Sequence, residues 1–361
     1  MPNPVILTVI GARPQFVKAA MVSSALKKAN LTEILVHTGQ HYDRTMSEIF
    51  FEELGLPLPH HNLRLGGGTQ GAMTGRMLDA LEGLMLQYQP DWVLVYGDTN
   101  STLAAGLAAA KLHIPVAHVE AGMRSFNKAM PEEINRVLVD HLSTLLLVPS
   151  EKPVRLLEKE GLTTGVHIVG DIMMDATLQF RDHCNITPLL QRFQLRENQY
   201  GFLTLHRAEN TNDPALLQRW LTALASVSEH YPLVFPMHPR TRKVIDEHGL
   251  KLDTRCIHVC EPMSYSETLA LLRHAALLCT DSGGMQKEAY YLETPCLTLR
   301  KETEWVETLE QGWNQLVLSP EQLLSTLNSF ISQHREPPLP VYGNGKTAEK
   351  IVALIMSAQP E

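Results

Sequence analysis

Two acids stand where apolar runs give out, and a third position follows close behind. Trp92–Tyr96 leads into Gly97-Asp98-Thr99-Asn100, and Pro115–Val119 leads into Glu120-Ala121-Gly122. Soon after comes Pro131-Glu132-Glu133-Ile134-Asn135-Arg136, in which Pro131 suits the first turn of a helix. Acids are seldom buried without a partner. Three of them opening on one cleft read as general acid–base machinery, which makes Asp98, Glu120 and Glu132 the candidate catalytic carboxylates. The plainer role is electrostatic: Glu132 and Glu133 fit a helix N-terminus, and Asp98 fits a cap. Two histidines, His206 in Leu205-His206-Arg207-Ala208-Glu209-Asn210 and His238 in Met237-His238-Pro239-Arg240, also follow strands. Such a pair fits contacts to a diphosphate or a proton carrier.

Two glycine turns could take anions. Gly11-Ala12-Arg13-Pro14 follows an apolar run, with Lys18 one helical turn further on. A glycine turn at a helix N-terminus, with Arg13 and Lys18 beside it, predicts an anion site over a merely solvated turn. The stronger signal is Thr280-Asp281-Ser282-Gly283-Gly284-Met285-Gln286-Lys287-Glu288. Paired glycines allow the backbone close to a phosphate, with the helix dipole behind its N–H groups. Ser282, Gly283 and Gly284 are therefore the expected diphosphate turn. Glu288, one helical turn past Gly284, is placed to accept hydrogen bonds from a ribose. An ordinary glycine-rich turn is the competing reading.

The elements that must position these residues alternate along the whole chain. Val5–Ile10, Ile34–Thr38, Trp92–Tyr96, Pro115–Val119 and Leu145–Pro149 are apolar throughout, as parallel strands covered on both faces should be. Val166–Val169, Phe202–Leu205, Leu233–Met237, Ile257–Val259, Ala276–Thr280 and Pro295–Leu299 continue the series. Helical patterns lie between them; in Thr69–Gln89, Met73, Met77, Leu81, Leu84 and Met85 share a face. The expected fold class is α/β, with two Rossmann-like doubly wound domains facing a cleft. A break near Asp171–Asp175 divides the series into a domain over 1–171 and a second over 172–344. The segment 345–361 holds a helix near Lys346–Met356, expected to pack back on the first domain.

Composition bounds the rest. At 361 residues the chain is too long for one ordinary core. A net charge of −8 argues against a nucleic-acid partner. No apolar run reaches the ~18 residues of a membrane helix, and the N-terminus lacks a leader pattern, so a cytoplasmic protein without a membrane partner is expected. Five scattered cysteines fit a reducing compartment. Cys256 and Cys260 bracket His258, but they read as buried thiols, and no metal site is expected.

Together the segments GARPQFVK, TGQHYD, GDTNST, HVEAGMRS, PEEINR, LHRAEN, MHPRT, TDSGGMQKEA and GNGKTAEKI resemble, in order over nearly the whole chain, the non-hydrolysing UDP-N-acetylglucosamine 2-epimerases. The resemblance implies a GT-B-like fold, a homodimer and a UDP-sugar substrate with no cofactor. It implies elimination of UDP to a bound 2-acetamidoglucal, followed by re-addition, on the way to a surface polysaccharide precursor. In the carry-over Asp98, Glu120 and Glu132 match the catalytic carboxylates. Arg13, Lys18 and His206 match the phosphate-side contacts; Ser282, Gly283, Gly284 and Glu288 match the UDP contacts. His206 is counted with the catalytic set, and Arg136 and His238 with the substrate-binding set. Relatives acting on a modified UDP-sugar, such as a 2,3-diacetamido glucuronate, and true GT-B glycosyltransferases are the alternatives. Three departures stand out: Gln15 replaces a Glu, Trp305 replaces an Arg after Thr303-Glu304, and the QHR-type allosteric segment reads Gln40-His41-Tyr42-Asp43, with an acid where a polar partner is usual.

Overall fold

The computed structural model describes residues 3–40 and 53–358; His41, Tyr42 and Asp43 lie outside the described residues, as does the side chain of Arg13. The chain divides into two compact units. One comprises Met1–Ala176 and Pro340–Glu361, the other Thr177–Leu339.

In the first unit the described strands are β1 (Val5–Ile10), β2 (Thr32–His37), β3 (His61–Asn62), β4 (Trp92–Tyr96), β5 (Val116–Val119), β6 (Leu145–Val148) and β7 (Val166–Ile168). They form one parallel sheet in the order β3-β2-β1-β4-β5-β6-β7. The central strands are apolar because helices cover both faces. Leu7, Val9, Val93, Val95 and Val116 are fully buried, and the helix Gln70–Tyr88 adds Met73, Met77, Leu81 and Met85 to their core. The helix Thr347–Ser357 belongs to this unit and packs against the helix Arg13–Lys28.

In the second unit β8 (Gly201–Thr204), β9 (Leu233–Pro236), β10 (Ile257–Cys260), β11 (Leu277–Thr280), β12 (Cys296–Thr298) and β13 (Asn314–Leu316) form another parallel sheet, ordered β10-β9-β8-β11-β12-β13. Gly201 admits this packing: a Cβ there would lie 2.7 Å from a Leu233 methyl group.

Both sheets reverse their winding beside the first strand, between β1 and β4 and between β8 and β11. Ligands of open α/β sheets bind beyond the carboxyl ends of the strands at such reversals. The loops at these points are Gly11-Ala12 and Gly97-Asp98 in the first unit, and Leu205-His206 and Asp281-Ser282-Gly283 in the second. Two edge strands escaped the sequence reading. His61–Asn62 is two residues long, and two of the three residues of Asn314–Leu316 are polar, so neither makes an apolar run. Of the bracketing thiols, Cys260 is buried but Cys256 only partly, and His258 packs against the Phe193 ring rather than lying between ligands.

Candidate active site

In the first unit the two strand-end acids are paired with cations. The Lys18 ammonium contacts the Glu120 carboxylate, and the Arg136 guanidinium contacts that of Asp98. Gly97 lies beside this pair: a Cβ on it would lie 3.6 Å from Lys18 Nζ and 3.9 Å from Glu120 Oε2. Gly97 and Glu120 both adopt left-handed backbone, at φ +61° and +69°. For a glutamate this costs on the order of 1–2 kcal/mol, and such outliers cluster at functional sites.

The helix Pro131–Leu142 supplies the partners of Asp98. Asn135 Nδ2 donates to the Asp98 carbonyl at 2.9 Å and to Asn100 Oδ1 at 3.0 Å. Arg136 is buried, and its Nε has no hydrogen-bond partner among the described residues. The capping readings separate cleanly. Asp98 is no cap, because Thr99 caps the helix Asn100–Lys111. Glu133 does the structural work of its segment, accepting from Ser125 N at 2.8 Å, Ser125 Oγ at 2.9 Å and Phe126 N at 2.8 Å. Glu132 stands exposed on the first turn, four residues ahead of Arg136.

The first glycine turn is tied down from within its own helix. The amides of Gly11 and Ala12 donate to Gln15 Oε1, at 2.8 and 3.0 Å. Gln15 Nε2 in turn donates to the Tyr96 carbonyl at 2.7 Å, with Thr99 Oγ1 and Thr102 Oγ1 at 3.1 and 3.0 Å. Gln15 therefore ties the β1 turn to the β4 turn. A carboxylate at 15 has no N–H to give the Tyr96 carbonyl. The glycine is required because a Cβ at position 11 would overlap Ser101 and Thr38. Gln40 caps the same region, accepting from Ser101 N at 3.0 Å.

In the second unit one buried carboxylate organises the site. Asp281 accepts from His206 N at 3.0 Å, Arg207 N at 2.8 Å and Asn210 Nδ2 at 3.2 Å, which pins the β8 loop to the end of β11. Asp281 lies within the Thr280–Glu288 run, but that run gives it no role, because the role depends on partners more than seventy positions away. His206 stacks on His238, with ring centroids 5.4 Å apart. Burial holds the His206 imidazole below its ordinary range; Asp281 opposes this, and Arg207 and Arg240 reinforce it. His238 caps the helix Pro239–His248, its Nδ1 accepting from Arg240 N at 3.1 Å.

The helix Gly283–Tyr291 begins directly after β11, and its N-cap Ser282 makes no side-chain cap bond. A Cβ on Gly283 would lie 3.4 Å from Trp305 Nε1 and 3.6 Å from an Arg207 guanidinium nitrogen, so both donors lie beside this turn. Glu288 is buried on the same helix. Trp305 presents its face to the buried Lys287 ammonium, 3.8 Å from the ring centroid. Glu304, its neighbour, pairs with buried Arg300 at 3.2 Å. No group of three His, Cys, Asp or Glu among the described residues is arranged to hold a metal ion. Nor is any described helix long and apolar enough to cross a membrane.

These features can be set beside known proteins. The family model for UDP-N-acetylglucosamine 2-epimerase matches residues 24–356. A UDP-2,3-diacetamido-2,3-dideoxy-D-glucuronate 2-epimerase of Pseudomonas aeruginosa is 46% identical over 354 residues, 96% of this chain and 98% of that protein. A UDP-N-acetylglucosamine 2-epimerase of Methanocaldococcus jannaschii is 42% identical over 96% of this chain and 97% of its own length. The crystal structure of the Methanocaldococcus jannaschii enzyme in complex with UDP-GlcNAc and UDP superposes with a TM-score of 0.89, covering 98% of this chain and all of that one. The fold is thus the GT-B-like α/β fold of these isomerases. The chain belongs to the UDP-N-acetylglucosamine 2-epimerase family.

Proposed function

We propose that the chain inverts C2 of UDP-N-acetylglucosamine without hydrolysing it, giving UDP-N-acetylmannosamine. The observation that carries this reading is the pairing of two carboxylates, Asp98 and Glu120, with Arg136 and Lys18 at one sheet reversal. The C2 hydrogen of the sugar is not acidic, so direct exchange is difficult. Elimination solves the problem: a carboxylate takes the C2 proton while the C1–O bond breaks and its electron pair leaves with UDP. The product is 2-acetamidoglucal. UDP adds back at C1 as a proton reaches the opposite face of C2. Asp98, Glu120 and Glu132 are the proton carriers. Arg13, Lys18 and His206, with the Ser282-Gly283-Gly284 turn, stabilise the departing diphosphate. Glu288 holds the ribose.

The 46% identity to the diacetamido-glucuronate enzyme supports a second reading, the same reaction on a modified UDP-sugar. Proton NMR of UDP-N-acetylglucosamine with the pure protein in D2O separates the two. The expected result is UDP-N-acetylmannosamine carrying deuterium at C2. An unchanged spectrum refutes the unmodified sugar, and turnover of the 2,3-diacetamido glucuronate then establishes the second. Substitution divides the roles: Asp98→Asn or Glu132→Gln lowers kcat by at least ~100-fold with UDP affinity kept. Glu288→Ala mainly weakens UDP binding, as titration calorimetry will report.

A further inference from the structure

His118 lies on β5, two residues before Glu120, and is wholly buried. Both ring nitrogens face acceptors. Nε2 is 2.7 Å from the Gly97 carbonyl oxygen, and Nδ1 is 2.7 Å from Asp140 Oδ1. A carbonyl oxygen can only accept, so Nε2 carries a proton. Asp140, from the helix Pro131–Leu142, accepts at its other oxygen from Gly122 N at 3.0 Å and Arg124 Nη1 at 2.7 Å. An oxygen that receives two N–H donors, one of them cationic, belongs to an ionised carboxylate. Asp140 therefore has no proton to give, and Nδ1 carries one too.

We propose that His118 is a buried imidazolium with a proton on each ring nitrogen that acts as a positioning residue, holding the two turns that carry Asp98 and Glu120. The charges around it are Asp140 on its own ring, Arg124 beyond Asp140, and Glu160, which accepts from Arg124 Nε and Nη2 at 2.7 Å each. Asp98 and Glu120 follow on the adjoining turns. The chain Gly97–His118–Asp140–Gly122 holds left-handed residues at both ends, Gly97 at φ +61° and Gly122 at φ +76°, with Glu120 at φ +69° between them. One buried ion pair thus supports the turn that carries Asp98 and the left-handed backbone of Glu120. Buried pairs of this kind contribute little to net stability against an apolar replacement, and their better-attested use is to specify geometry. The inference rests on the reading of Asp98 and Glu120 as the groups that work on C2.

The direct test needs no substrate. Long-range 1H–15N spectra of the full chain labelled with 15N-histidine, with the His118 signals identified by their loss in His118→Gln, should show protons on both ring nitrogens at neutral pH. A ring with one bare nitrogen overturns the proposal whatever the activity. Kinetics test the role. His118→Gln and Asp140→Asn should lower kcat ~10- to 100-fold, the usual effect of a supporting partner, with KM and UDP affinity nearly unchanged. Asp140→Asn keeps the side-chain shape and serves if His118→Gln does not fold. Doubly protonated nitrogens with unaltered kcat in a folded variant also overturn it. Asp98→Asn and Glu120→Gln, assayed in parallel, test the functional reading separately, since the spectra do not depend on turnover.

Discussion

Gln15 and Asp281 each bind a loop to its neighbour through one buried side chain, and neither bears on the reaction directly. Gln15→Leu keeps the apolar volume but strands the Gly11 and Ala12 amides, whose present acceptor is Gln15 Oε1. A buried donor left unsatisfied costs ~1–3 kcal/mol. The variant should lose at least ~2 kcal/mol in urea unfolding. Asp281→Asn faces the His206 and Arg207 amides with a neutral group, part of which is itself a donor. It should cost about 2–3 kcal/mol and also weaken UDP binding, because His206 and the Ser282 turn lose their anchor. The acids and the paired glycines were legible in the sequence because their place at strand ends is a local property. The supporting roles of Gln15, Asp281 and His118 were not, since each depends on at least one hydrogen bond to a residue distant in the chain. Side-chain chemistry at a strand end is written locally; the support beneath it is not.

At the scale of elements, apolar runs marked the central strands well and their polar ends poorly. β2 starts at Thr32 and Glu33, before the apolar stretch that revealed it. Glu33 is half-buried there, with its Oε1 accepting from Thr8 Oγ1 at 2.6 Å and Ser23 Oγ at 3.0 Å. Burial raises its pKa above the ordinary 4.5, against the lowering effect of those two hydroxyls. For a carboxyl with a raised native pKa, the favourable contribution is complete below the unfolded value and is lost as pH rises through the folded one. The loss therefore begins near pH 4.5 and grows toward neutrality. Glu33→Gln keeps the acceptor and removes the ionisation. It should match the parent below pH 4.5 and melt higher at neutral pH, as calorimetry at several pH values will show. A difference independent of pH would refute the assignment. The two short edge strands escaped for another reason: pairing to a neighbour, not side-chain pattern, makes two or three polar residues a strand.

At the scale of the molecule, the first unit is built from two separated stretches of chain, Met1–Ala176 and Pro340–Glu361. Ile351, Val352 and Ile355 of the returning helix are buried. Asp175 Oδ2 accepts from Ala348 N at 2.9 Å, which fixes the start of that helix. Three buried aliphatic side chains at ~1.5–3 kcal/mol each rival the total stability of a typical domain. Removing residues 340–361 should therefore unfold the first unit. The second unit, continuous from Thr177 to Leu339 with its own core, should keep its hydrogen-exchange protection. Uniform loss of protection across both units would contradict this. The same arrangement sets an order on synthesis. When Ala176 has been translated, the first unit still lacks a piece of its core, and the ribosome must complete the whole second unit before supplying it. At ~5–20 residues per second the wait is roughly 10–40 s. The nascent protein thus spends that interval with an uncovered apolar face on its N-terminal half, and the second unit, though later in sequence, is the first able to finish folding.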